Sequence, residues 1–270
     1  MNTKSISIQV SVPRMIRSVM TAAALLSASF AAEAASSKPT IVLVHGAMAD
    51  ASSWNELIPL LSRDGYAVVA VADQLQGVAS DASAVSSTVN AIDGQVVLVG
   101  HSYGGLVITN AANGSKNVKA LVYVAAFAPE KGESVFDLIG KFAGSELGQA
   151  LAKPITLSDG GRELSVDPDK FAGVFAADVP SGRSALMAIT QRPVAEAALK
   201  EPSGDPAWKR LPSYFIYGSG DKSVPPALHA YLAKRAQALD TVVVPEASHV
   251  IMISHPEAVA KVIEEAATSN

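Results

Sequence analysis

Six short apolar runs recur along the chain, most of them followed by a segment with helical spacing. The runs are Thr40 to His45 (TIVLVH), Tyr66 to Val71 (YAVVAV), Val96 to Val99 (VVLV), Val118 to Val124 (VKALVYV), Ser213 to Tyr217 (SYFIY) and Thr241 to Val244 (TVVV). They are continuous and rich in β-branched residues, the pattern of parallel strands buried on both faces. Ser53-Trp54-Asn55-Glu56 has the form of a capping box. Behind it Trp54, Leu57, Ile58 and Leu61 share one helical face, and Gly65 is placed to stop the helix. Ala82 to Ile92, Gly104 to Ala112, Ala227 to Ala236 and Pro256 to Ala267 supply further helices. Alternation of this kind predicts an α/β fold built on a doubly wound, mostly parallel sheet.

One interval breaks the rhythm. About 85 residues separate the Val118 run from the Ser213 run, where a parallel crossover needs only a dozen or so. This interval predicts a mainly helical cap inserted at about residues 127–211. Helices are expected over Ser134 to Leu151, Pro168 to Ala176 and Ser181 to Leu199. A hairpin is expected from Ile155–Leu157 through Asp159-Gly160-Gly161 into Glu163–Val166.

The N-terminus has a different character. Lys4, Arg14 and Arg17 precede an uncharged apolar stretch from Val19 to Ala32, and Ala32-Glu33-Ala34 fits the small-x-small cleavage rule. This pattern predicts a signal peptide over residues 1–34, cleaved near Ala34, and a mature domain over 36–270 that is periplasmic or secreted. The apolar stretch is short for a membrane span of roughly 20 residues. No membrane association is expected once the leader is removed.

Composition narrows the chemistry. The 270 residues are 49% hydrophobic, enough for one large core, and the net charge is −4 with aromatics at only 6%. No basic run offers a footprint for nucleic acid. There is no cysteine, which excludes disulfides, a thiolate nucleophile and cysteine-ligated metal. The sequence holds no HExxH helix, carboxylate cluster with ligand spacing, P-loop or GxGxxG, so no metal and no cofactor are expected.

Gly100-His101-Ser102-Tyr103-Gly104 matches G-x-S-x-G between a buried strand and a helix. In that context the serine sits on a strained turn with Oγ exposed above the sheet, and flanking glycines avoid collision with neighbouring backbone. A serine hydroxyl needs a base to take its proton. The chain order of such sites is Ser, acid, His. His45 and His101 precede Ser102, His229 falls in a helix and reads as a surface residue, and His255 opens a helix. His249 lies in the loop after the Thr241 run, where the base belongs. Asp221 follows the Ser213 run directly and is the expected third member. Glu130 is the runner-up, Asp205 is less well placed, and Asp73 reads as a turn residue. The oxyanion is expected on two backbone N–H groups, that of Tyr103 and that of Ala47, with Met48 as the alternative to Ala47.

These residues resemble the α/β-hydrolase superfamily from about Pro39 to Ala267. More closely, the chain resembles the small capped serine esterases related to plant methylesterases and hydroxynitrile lyases. The resemblance rests on Leu43-Val44-His45-Gly46-Ala47 with Trp54, Val99-Gly100-His101-Ser102-Tyr103-Gly104-Gly105, Val122-Tyr123-Val124-Ala125-Ala126-Phe127, and Ser248-His249 with Met252 and Pro256. The cap segments Asp167 to Phe171 and Val174 to Asp178 also fit. Resemblance implies a Ser102, Asp221, His249 triad without a cofactor, a pocket between sheet and cap, and ester hydrolysis. Hydroxynitrile lyases of this type carry a lysine where this chain has Val250 and a threonine where it has Gly46, so cyanohydrin cleavage is not expected.

The expected function is an exported serine carboxylesterase acting through an acyl-enzyme on small to medium apolar esters. The rival expectations are lactone or amide hydrolysis by the same residues, and a ligand-binding protein of this fold with little turnover. Phe127, Phe136, Leu138, Phe171, Phe175 and Met187 are the candidates to line the pocket, with core packing the expected role for any single one.

Overall fold

The computed structural model describes residues 38–269; the predicted leader lies outside them. In chain order the strands are β1 (Thr40–Val44), β2 (Val68–Val71), β3 (Val96–His101), β4 (Val118–Val124), β5 (Ile155–Thr156), β6 (Arg162–Leu164), β7 (Val194–Ala195), β8 (Ser213–Gly218) and β9 (Asp240–Val244). The helices are α1 (Leu57–Arg63), α2 (Val78–Asn90), α3 (Gly104–Ala111), α4 (Val135–Ile139), α5 (Leu147–Ala150), α6 (Pro168–Phe175), α7 (Ser181–Thr190), α8 (Glu196–Lys200), α9 (Pro226–Arg235), α10 (Ile251–Ser254) and α11 (Pro256–Thr268).

All six predicted runs join one sheet in the order β2-β1-β3-β4-β8-β9, with every pairing parallel. The chain first steps from β1 outward to β2, then reverses past β1 to β3. Right-handed crossovers therefore put α1 on one face and α2 on the other, which is the doubly wound arrangement. Consistent with this, α1 packs with α11, and α2 packs with α3. The reversal opens a crevice at the carboxyl ends of β1 and β3, where open α/β sheets bind ligands.

Burial follows position in the sheet. Every residue of β3 and β8 is buried, as is nearly all of β1 and β4. Each such Val, Leu or Ile is worth about 1.5–3 kcal/mol over an exposed side chain. The edge strands β2 and β9 are only partly buried, because each has a neighbour on one side alone. Burial on both faces is thus a property of the central four.

Several local expectations are corrected. Ser53 caps nothing. Asp50 instead accepts from Ser52 N at 2.7 Å, opening a single 3-10 turn over Ala51–Trp54, and α1 begins only at Leu57. The long helix expected from Ser134 to Leu151 is two short ones. Gly140 and Gly144 interrupt it, each costing a helix about 1 kcal/mol relative to alanine. The helix expected to reach Leu199 stops at Thr190, since Pro193 drives the residue before it out of the helical region. The chain then forms β7, which pairs with β6. The predicted hairpin therefore gains a third strand, and Ala195 N bonds Leu75 O at 2.9 Å, tying this small sheet to the loop after β2. A second tie is the Glu201 carboxylate, which accepts from Val78 N (2.7 Å) and Ala79 N (3.0 Å) at the start of α2.

Candidate active site

Ser102 follows β3 directly and adopts φ = 51°, a conformation that L-residues other than Asn and Asp rarely take. Surrounding bonds over-determine it: Ser102 N donates to Val124 O (3.3 Å), and Ser102 O accepts from Gly105 N (3.0 Å) and Phe127 N (3.2 Å). The flanking glycine is sterically required. A Cβ on Gly100 would lie 2.5 Å from the Gly104 carbonyl oxygen. The turn thus exists because strand β3 and helix α3 meet closer than side chains permit.

The sheet brings the other two predicted residues together. Register pairs Gly218 at the end of β8 with Val244 at the end of β9, so the loops that follow emerge side by side. Asp221 lies in the first and His249 in the second. Asp221 Oδ2 accepts from His249 Nδ1 at 2.7 Å, and both side chains are almost fully buried. Asp221 Oδ1 accepts from Ser223 N and Val224 N, each at 2.9 Å. Burial alone would push the Asp221 carboxyl up. The charge and hydrogen bond of His249, together with the hydrogen bond of His229, outweigh burial and hold it well below the usual carboxylate range.

His229 is the principal correction to the sequence reading. It is fully buried, not on the surface, and its Nε2 lies 3.0 Å from Asp221 Oδ2. The signal was present in α9, where Leu228, His229, Leu232 and Ala233 form the buried stripe. Counted on that face, His229 belongs to the core.

The remaining histidines support the site. His101 Nε2 lies 3.1 Å from the His249 carbonyl oxygen, and the two rings are 4.8 Å apart. Burial, then the neighbouring His249, drives the pKa of His101 well below its ordinary value, so it serves as a neutral strut. His45 Nε2 accepts from Asp73 N (3.0 Å), which leaves Nδ1–H to donate to Gly46 O (2.9 Å). His255 is half-buried, 3.6 Å from Asp178. Among the other acids, Glu130 binds Lys209 (2.7 Å) and Asp205 pairs with Lys131 (3.0 Å). Asp73 is buried in the loop after β2.

The Tyr103 ring continues this buried network, its hydroxyl donating to Asp81 Oδ2 at 2.9 Å. The backbone N–H groups of Ala47 and Tyr103 meet no protein acceptor among the described residues. Both residues border the cavity that Ser102 also lines, as does Met48, which is held at φ = 60°.

That cavity measures about 110 Å³. Phe127, Phe136 and Phe175 of the predicted set line it, together with Ile139, Leu147 and Val224. Leu138 and Phe171 are buried in the core instead, and Met187 borders a separate groove of about 280 Å³ that Met48 also lines. Two acidic residues with no site role in the sequence reading also contact the site. Asp81 anchors Tyr103, and Asp178 accepts a short hydrogen bond from Ser248, the residue before His249. Both lie far from their partners in sequence, so no local motif announces them.

The alpha/beta hydrolase family model matches residues 41–262, nearly all of the described chain. The chain belongs to the alpha/beta hydrolase family. This alpha/beta hydrolase is 26% identical over 251 residues to alpha/beta hydrolase nvfD of Aspergillus novofumigatus (strain IBT 16806), a match covering 85% of this chain and 97% of that one. It is 25% identical over 247 residues to methylesterase 1 of Arabidopsis thaliana, covering 82% and 92%. Its fold is that of polyneuridine aldehyde esterase, with a TM-score of 0.75 at 21% identity and coverage of 85% and 99%.

Proposed function

We propose that this alpha/beta hydrolase is a serine carboxylesterase acting through an acyl-enzyme on uncharged, apolar esters. The observation that carries the reading is the buried Asp221–His249 pair at the carboxyl edge of the sheet whose β3 presents Ser102 to an apolar cavity. The relationship to methylesterase 1 supports ester chemistry.

Ser102 Oγ attacks the ester carbonyl carbon while His249 Nε2 takes its proton. Asp221 keeps the other ring nitrogen, Nδ1, protonated and facing the carboxylate, and stabilises the imidazolium as it forms. The Ala47 and Tyr103 N–H groups hold the oxyanion; one such donor is worth about 100- to 1000-fold in rate. The tetrahedral intermediate collapses as His249 returns the proton to the leaving alkoxide. Water then attacks the acyl-serine by the same route, releasing the acid and regenerating Ser102. The cavity lining contains no charged side chain, which favours esters whose acyl or alcohol part is apolar. Val250 is fully buried and apolar, and Gly46 has no room for a side chain; both disfavour cyanohydrin cleavage. Export is part of the proposal, on the leader expected over residues 1–34.

The test is turnover of p-nitrophenyl esters, from acetate to a long acyl chain, by the wild type and Ser102→Ala. Turnover that vanishes in a folded variant is expected. Equal turnover by both would overturn the assignment.

A further inference from the structure

Asp221 receives four donors, and only one belongs to the base. Ser223 N and Val224 N fill Oδ1, while His249 Nδ1 and His229 Nε2 share Oδ2 at 2.7 and 3.0 Å. The proposed reaction uses His249 alone, which leaves a second, fully buried histidine on the same oxygen without a role. We infer that His229 is a positioning residue: it donates from Nε2 to Asp221 and fixes the carboxylate so that Oδ2 stays aimed at His249 Nδ1. The inference rests on the esterase reading.

The tautomer follows from the surroundings. His229 Nδ1 is buried and has no hydrogen-bond partner. A proton on Nδ1 would orphan a buried donor and point the Nε2 lone pair at a carboxylate. A proton on Nε2 satisfies the donor and leaves only a lone pair bare, the cheaper arrangement. The ring is held in place by Tyr217, stacked on it with centroids 4.8 Å apart at 23°. It sits on α9, whose Leu228 and Leu232 are fully buried. The donor is therefore anchored to core, not to a loop.

This anchoring answers a need of the site. Asp221 and His249 both lie in loops, so their mutual bond alone would let the pair rotate together. His229 ties the carboxylate to a helix. With four donors around it the carboxylate also has no free position for a proton, which suits a group that must stay ionised while His249 becomes cationic.

The test uses the full chain carrying His229→Leu and His229→Gln, with [15N]histidine labelling of the wild type. Long-range 1H–15N spectra should show His229 protonated at Nε2 with Nδ1 bare, and its signals should shift in Asp221→Asn. Loss of the donor should lower kcat for p-nitrophenyl acetate by about 10- to 100-fold, the scale typical of lost supporting hydrogen bonds. KM should stay within about two-fold, since the apolar pocket that binds substrate is untouched. Gln places an N–H near the Nε2 position and should restore most of kcat, which a merely space-filling role would not predict. An Nδ1–H tautomer, wild-type kcat in a folded Leu variant, or a Gln variant no better than Leu would each overturn the inference. If the wild type turns over no ester, the esterase reading fails on its own, and the spectra with the rate of Ser102 phosphonylation in each variant still decide the role of His229.

Discussion

A methyl group on Gly46 would lie 2.6 Å from the Cβ of Ser102, closer than real side-chain atoms approach. It would also meet His101 Nδ1 at 2.9 Å and the His101 carbonyl at 3.0 Å, so no single neighbour can yield. The loop after β1 and the turn after β3 are thus in close contact, and Ala47 and Ser102 border the same cavity.

Gly46→Ala must push those two loops apart. A loss of about 1–3 kcal/mol in stability is expected from overpacking. A fall in kcat of about 100-fold should follow, because displacement near 1 Å costs that much where reacting groups must be aligned. Urea unfolding and ester kinetics on one preparation check both, and wild-type kinetics in the variant would contradict the contact.

Asp73 makes neutral pH a cost. Burial, then the nearby charge of Asp81, pushes its carboxyl up to about 7 from 3.8. A raised acid binds its proton more tightly folded than unfolded, so its contribution to stability is full in acid and lost as pH rises through about 7. Asp73→Asn should therefore gain over wild type as pH rises, by about 2–4 kcal/mol between pH 4 and pH 8. Denaturant curves across that range test this, and a gap independent of pH would refute it.

Asp178 couples the insertion to the loop that carries His249. It accepts from Ser248, and the bonds from Ser248 and Ser254 overcome burial to hold its carboxyl below the ordinary value. The stability it adds is present above about 3.8 and lost as pH falls through the lowered value. Asp178→Ala should destabilise by about 1–3 kcal/mol at pH 7 and lower kcat through a looser His249 loop. The stability loss should shrink as pH falls below about 3.8; a loss independent of pH would point to packing instead.

Glu201 caps α2 from the insertion with both oxygens. Glu201→Ala should cost about 1–2 kcal/mol, as removal of a charged N-terminal cap does. Thermal melts of the Ala and Gln variants should rank wild type, then Gln, then Ala, with kcat little changed. An unchanged melting temperature in Ala would show that the two contacts contribute nothing.

Much of the fold was legible because the information is local. Continuous β-branched runs marked all six strands of the sheet, since burial between helices selects the same residue types wherever such strands occur. The insertion was legible as an anomaly of length, and local signals also gave its hairpin and the helix from Pro168. Its third strand and broken helix depended on Pro193 and on two glycines, whose effects compete with helical spacing in the same stretch.

The site divides in the same way. The turn at Ser102 could be placed because a residue held at positive φ between a strand and a helix needs glycines at fixed offsets, and those offsets are printed in the chain. That His249 and Asp221 meet could be read because both follow neighbouring strand ends. Asp81 and Asp178 could not be placed, because each meets its partner across the fold, and for His229 helical spacing could give the buried face but not the partner. His229 shows the difference most sharply. The sequence determined that a histidine occupies α9 four residues after Pro225, but only the packing of α9 against β8 decided that its ring turns inward to Asp221. A helix face is chosen by what the whole sheet leaves to be buried, and that is a property of the assembled structure, not of the segment.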